Sequence, residues 1–144
     1  MIEIEMEQAL ADLQAMMLRA ATPGPMFAYI GGAETEQAHA RIESLKSTPL
    51  GDPWEPWMTG TARERERKGN AGLGLLYDTG ELLDSIEFFA DSDTLEIGTD
   101  VDYAEYLQDG TRFMDARPFL GWNPERLVQY ELDWADYLSG DMPA

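Results

Sequence analysis

Leu82-Leu83-Asp84-Ser85-Ile86-Glu87-Phe88-Phe89-Ala90-Asp91-Ser92-Asp93-Thr94-Leu95-Glu96-Ile97-Gly98-Thr99 decides how this chain folds. Leu82, Leu83 and Ile86 suit a short helix, which Thr79 or Asp78 can cap, since each places a side-chain oxygen near free backbone N–H groups. Glu87–Ala90 and Thr94–Thr99 then read as two strands around an Asp91-Ser92-Asp93 turn. Beyond them, Tyr103, Ala104 and Leu107 share one face of a short helix, and Gly110 is placed to end it as a left-handed cap. Ala116-Arg117-Pro118-Phe119-Leu120-Gly121 closes the region. Its proline fixes its own backbone and pushes Arg117 toward an extended conformation, so the guanidinium has a set direction. Phe119 and Leu120 anchor the segment in apolar surroundings. Two partners for Arg117 stand open: a carboxylate of the same chain, or one across a subunit boundary, where a planar fork suits a carboxylate.

Upstream, Ile2, Ile4 and Met6 alternate with acidic residues at period two. At helical spacing Met6, Leu10, Leu13, Met17 and Ala20 share one face, and a helix over about Glu5–Ala20 is expected, stopped by Pro23-Gly24-Pro25. A second helix is expected over Glu34–Ser47, carrying Ala38, Ile42 and Leu45 inward, with a loose amino end at Gly31-Gly32. Thr48–Pro53 is turn-rich. Trp54 and Trp57 follow and must bury somewhere, in the core or under a neighbour. Thr61–Lys68 has no apolar stripe and reads as a solvated helix, an arm or an interface element. Gly69–Gly74 reads as a mobile loop within one domain, and assembly is expected to order Arg63–Gly74. A last helix is expected over Pro124–Leu138, with Leu127, Glu131 and Trp134 on one side, Val128, Leu132, Ala135 and Leu138 adjacent, and a frayed tail over Ser139–Ala144. The fold class is α+β: a small antiparallel β-sheet packed with helices, long N-terminal helices and a C-terminal helix. The chain, 1–144, is expected to be a single domain, with an N-terminal helical part (1–50), a loop or arm (51–74), an α+β core (75–121) and a C-terminal helix and tail (122–144).

Composition narrows the function. Formal net charge is -18, from 28 acidic and 10 basic residues. Between Asp78 and Asp109 stand 11 acidic residues and no lysine or arginine, whereas Arg63, Arg65, Arg67 and Lys68 cluster. High net charge maintains solubility. It also repels phosphate, as a channel that carries DNA without gripping it requires. Sequence-specific nucleic-acid binding is disfavoured on either reading. No apolar run approaches the ~20 residues of a membrane span. The acidic Met1-Ile2-Glu3-Ile4-Glu5 is unlike a basic signal-peptide start, so a soluble protein made in a cytoplasm is expected. The absence of cysteine removes disulfides, thiolate zinc sites and thiol catalysis.

No catalytic constellation emerges. The one histidine, His39, has Glu36 and Glu43 at helical spacing, so a weak salt bridge is the simple reading. Asp91-Ser92-Asp93 lacks the further ligands of a calcium loop. Gly72-Leu73-Gly74 lacks the third glycine and preceding strand of a dinucleotide motif. Ser85 has no histidine nearby in sequence. No catalytic residue, metal site or cofactor is expected.

The pieces Leu75-Leu76, Thr79-Gly80-Glu81-Leu82, Ser85-Ile86, Ile97-Gly98-Thr99, Tyr103-Ala104, Gln108-Asp109-Gly110 and Ala116–Gly121, in this order, resemble the phage virion-morphogenesis, or tail-completion, family. The resemblance covers roughly Gly51 to Gly121. Where that family often has histidine before the glutamine, this chain has Leu107, and Arg112–Asp115 sits where lengths vary. The resemblance implies a small α+β structural protein that forms a ring around the DNA path at the head–tail neck of the virion, assembled in the host cytoplasm. It implies as partners further copies of itself, with a hexamer the expected ring, and the neighbouring neck and tail-tube proteins. Trp54, Trp57, Tyr103, Tyr106, Gln108, Arg117 and Phe119 are the candidate interface residues. Asp91, Asp93, Glu96, Asp100 and Asp102 are the candidates for an acidic lumen. A tail terminator, a tail-completion protein and a head-side connector all fit. An acidic DNA mimic that occupies a basic cleft is the rival from another class, and an enzyme the remotest.

Overall fold

The computed structural model describes residues 6–69, 72, 74–76 and 79–143. The Ile2/Ile4 alternation, an Asp78 cap and most of the Asn70–Leu73 loop fall outside these. Six helices and one two-stranded sheet follow in the order α1 (Met6–Ala21), α2 (Gly24–Ala40) with a π-turn (Arg41–Leu45), α3 (Thr59–Lys68), α4 (Glu81–Ser85), β1 (Glu87–Ala90), β2 (Leu95–Gly98), α5 (Ala104–Asp109) and α6 (Pro124–Ser139). This is the expected α+β class.

α2 organises the molecule. It starts ten residues before the expected Glu34, because Pro25 sits in its first turn with φ already set for a helix. Gly31 is buried within it and is not a loose end. A Cβ there would lie 2.4 Å from Phe88 Cδ2 and 2.9 Å from Leu95 Cδ1. The glycine is what lets the hairpin press onto the helix. Met26 and Ile30 of α2 join Tyr130 and Tyr137 of α6 in one apolar cluster. Ala38 joins Ile42 of the π-turn, Trp54, Leu76, Leu82, Ile86, Ala104 and Phe119 in the other. The π-turn, closed by Lys46 N–H donating to Arg41 O at 2.8 Å, shifts the register between Ile42 and Leu45. Ile42 is therefore fully buried, while Leu45, expected inward, is 56% exposed.

The hairpin is antiparallel, with Phe88 opposite Ile97 and Ala90 opposite Leu95. Asp91 Oδ1 accepts from the N–H groups of Asp93 (2.8 Å) and Thr94 (2.7 Å), which sets the turn. Two strands alone are marginal in water, and α2 supplies the face they need. Gly80, with φ 88°, takes the N-cap position of α4 without a side-chain cap, so the cap expected of Thr79 is not formed; Thr79 Oγ1 lies one residue further out and accepts from Glu81 N–H at 3.4 Å. Gly110 ends α5 with φ 73° and ψ 176°, a positive-φ extended residue rather than the expected left-handed cap. A Cβ at this position would meet Ala116 N at 2.7 Å.

α6 keeps its expected bounds, with Asn123 Oδ1 accepting from Glu125 N–H at 2.8 Å and Pro124 following. Its buried side differs: Tyr130, Asp133 and Tyr137 point in, while Leu127, Val128 and Leu132 are exposed. Trp134 packs edge-on against Phe27 and Tyr137. Tyrosines win this face because each hydroxyl reaches an acceptor: Tyr137 donates to Thr22 O at 2.5 Å and Tyr130 to Glu34 Oε1 at 2.6 Å. α1 lies beside α6 and buries no residue.

Candidate assembly surfaces

Residues 116–121 form a strap whose peptide groups are held by side chains from three distant places. Gln108 accepts on Oε1 from Phe119 N–H and Leu120 N–H, both at 3.1 Å, and donates from Nε2 to Leu120 O at 2.7 Å. Trp54 Nε1–H donates to Pro118 O at 2.9 Å, and Arg41 to Phe119 O at 2.9 Å. The Phe119 ring is 1% exposed in the apolar cluster beneath. Buried peptide groups need partners, and proline at 118 has no N–H to satisfy.

Arg117 is buried and donates to two carbonyls, Nε to Glu55 O at 2.8 Å and a terminal nitrogen to Pro56 O at 2.9 Å. These carbonyls occupy the guanidinium where a carboxylate of the chain or of a neighbour was expected. Trp54, Gln108, Arg117 and Phe119, expected at a subunit boundary, thus make the contacts seen here within the chain. Trp54, Arg117 and Phe119 are buried, and Gln108 is half-buried with its amide taken up by the strap. Trp57 is half-buried, with Nε1–H donating to Leu75 O at 3.1 Å and the Arg65 guanidinium 4.7 Å above its ring. Tyr106 is exposed, and Tyr103 is exposed with its hydroxyl donating to Glu81 at 3.1 Å. Tyr103 also borders a cleft of about 280 Å³ with Arg65 and Leu75.

Arg41 was not singled out by sequence, though an arginine within an apolar α2 face was the available signal. Burial pulls its guanidinium below the ordinary value, with the Glu34 charge opposing and Arg126 adding to the shift. Glu34, itself buried, pairs with Arg126 Nε at 2.7 Å. Burial first, and then the bond to Glu34, raises the pKa of the Tyr130 hydroxyl. Above this charged floor a groove of about 710 Å³ opens, walled by Phe88, Ile97, Leu120 and Trp122.

Asp91, Asp93, Glu96, Asp100 and Asp102 are all exposed, on the hairpin and the loop after it. Meanwhile Arg19, Arg41, Lys46, Arg117 and Arg126 turn onto carbonyls or Glu34. Two acids, Glu34 and Asp133, and two bases, Arg41 and Arg117, are buried, so the surface keeps the acidic balance of the sequence. His39 is not bridged to Glu36 or Glu43 among the described residues, and its Nε2 is buried without a hydrogen-bond partner. Among the described residues no group of histidines and carboxylates is arranged to hold a metal ion.

The model of the phage virion morphogenesis family matches residues 4–133. The chain belongs to that family. The match takes in α1, α2 and most of α6 as well as the Gly51–Gly121 region. No curated protein and no solved structure matches the chain. Its role is in assembly of a phage particle, with which it associates. No described helix is long and apolar enough to cross a membrane.

Proposed function

We propose that this family member is a structural neck protein, a tail-completion or tail-terminator component. In this reading it forms a homo-oligomeric ring, with six subunits expected, around the DNA path at the head–tail junction. The observation that carries it is an acidic, cation-poor surface on a virion-assembly chain. Asp91, Asp93, Glu96, Asp100 and Asp102 would line part of the lumen, where repulsion of phosphate keeps DNA moving. Tyr103, Tyr106 and the open side of Trp57 are the aromatic residues offered to neighbouring subunits or tail-tube proteins. The tightly satisfied strap gives each subunit a rigid body to repeat.

Light scattering and negative-stain imaging of the purified protein, with and without tail tubes, test this. Rings, or caps on tube ends, are expected. A monomer that ignores tubes but assembles on the head portal would make it a head-side connector of the same neck. A monomer that ignores both, and instead binds a basic protein in a salt-sensitive way, would overturn the neck reading in favour of a DNA mimic.

A further inference from the structure

α1 is amphipathic in the wrong direction for its own subunit. Its half-buried residues are Ala15 and Arg19, and Arg19 donates to Leu138 O of α6 at 2.8 Å. Successive residues turn by about 100° in an α-helix. The Met6, Leu10, Leu13 and Met17 stripe therefore points roughly 170° away from the side that touches α6. These four are 59%, 52%, 53% and 64% exposed. Most helical stability in proteins comes from burying such a stripe. Here it faces outward, at the four-three-four spacing by which a helix seats in a groove.

The same chain carries an unfilled groove with apolar walls elsewhere, between the hairpin, α2 and residues 120–122, where Phe88 and Trp122 remain 38% and 48% exposed. We infer that α1 of one copy seats its Met6–Met17 stripe in this groove of the next copy. The inference rests on the ring reading and names the contact that would build the ring. A convex and a concave apolar surface at different places on one chain make a head-to-tail contact, which closes a ring when the rotation allows.

Charge selects α1 as the part of a second copy that can enter the groove. Two chains of net charge -18 repel, and Glu87, Glu96 and Asp100 on the groove lining exclude an acidic segment. α1 carries only Glu7, Asp12 and Arg19, and its stripe is uncharged. By contrast α6 carries Glu125, Glu131, Asp133 and Asp136 against Arg126. Stripe and groove are both left open in the chain, so a contact between copies would cover both at once.

The test uses the full chain, which has no cysteine of its own. Leu13→Cys and Asp100→Cys variants, mixed under assembly conditions and treated with a short thiol–thiol crosslinker, are expected to give a dimer absent from either alone. Leu13→Cys crosslinking to itself would overturn the groove in favour of α1–α1 pairing. Leu13→Glu is expected to weaken self-association at least about thirtyfold with unchanged helical circular dichroism, because Leu13 is half open in the subunit. Wild-type rings together with unchanged Leu13→Glu rings would overturn the α1 contact and leave the ring standing. Loss of tube binding with rings intact would assign α1 to the tail tube instead. A wild-type chain that forms no ring, alone or on tubes, overturns both readings.

Discussion

The strap at 116–121 and helix α1 differ in how their groups are used. In the strap, Pro118, Phe119 and Leu120 have peptide groups bonded to Trp54, Arg41 or Gln108, and Phe119 fills the core. In α1, sixteen residues carry a regular apolar stripe that stays exposed, and only Ala15 and Arg19 are half-buried, against α6. The strap completes the fold, whereas the stripe of α1 is left open. An apolar pattern thus measures what a segment can bury and does not say against which chain.

Four substitutions probe that contrast. Phe119→Ala should cost about 3–5 kcal/mol of subunit stability, read from urea unfolding; a loss below about 1 kcal/mol would mean the strap is not part of the core. Gln108→Leu strands the bonds it makes to Phe119 and Leu120 and should cost about 1–3 kcal/mol, seen as a lower midpoint at unchanged slope. Tyr130→Phe should cost about 1–2 kcal/mol through the lost bond to Glu34. It also carries a pH signature. Burial, followed by bonds to Glu34 and Asp133, raises the pKa of Tyr130 and Tyr29, so their folded forms favour the neutral hydroxyl. That stability is complete below the unfolded tyrosine value near pH ~10 and is lost as pH climbs through the folded values. Stability of the wild-type protein should fall above pH ~10, and less steeply in Tyr130→Phe; identical alkaline profiles would refute the assignment. The smallest effect belongs to α1, where Leu10→Ala should leave monomer stability within about 0.5 kcal/mol. A larger loss under monomeric conditions would show that α1 is packed within its own chain after all.

What could be read from sequence was what local chemistry controls. The hairpin with its Asp91 turn, the C-terminal end of α1 and the start of α6 each carry a proline, an aspartate or an asparagine at the deciding position. What could not be read depends on distant partners. Gly31-Gly32 looks like a break until Phe88 arrives to require it. Leu45 looks inward until the π-turn rotates it out. On α6 the leucines suggest the buried face, yet Tyr130 and Tyr137 take it because Glu34 and Thr22 O lie within reach. Arg117 was correctly seen as held in one direction, but its acceptors at Glu55 and Pro56 lie some sixty residues back. Of the candidate interface residues, those quoted for the family resemblance proved largely internal, because a recurrent motif can preserve a fold as well as a contact.

The strap also sets the order of events in folding. Arg41 reaches Phe119 across 78 residues and Trp54 reaches Pro118 across 64, whereas the Asp91 turn closes within three. Closing long loops costs chain entropy before any contact rewards it. The hairpin is therefore cheap and early, the strap costly and late. One wall of the groove, Leu120 and Trp122, exists only after that late step. A chain still folding has no finished groove until the strap has closed.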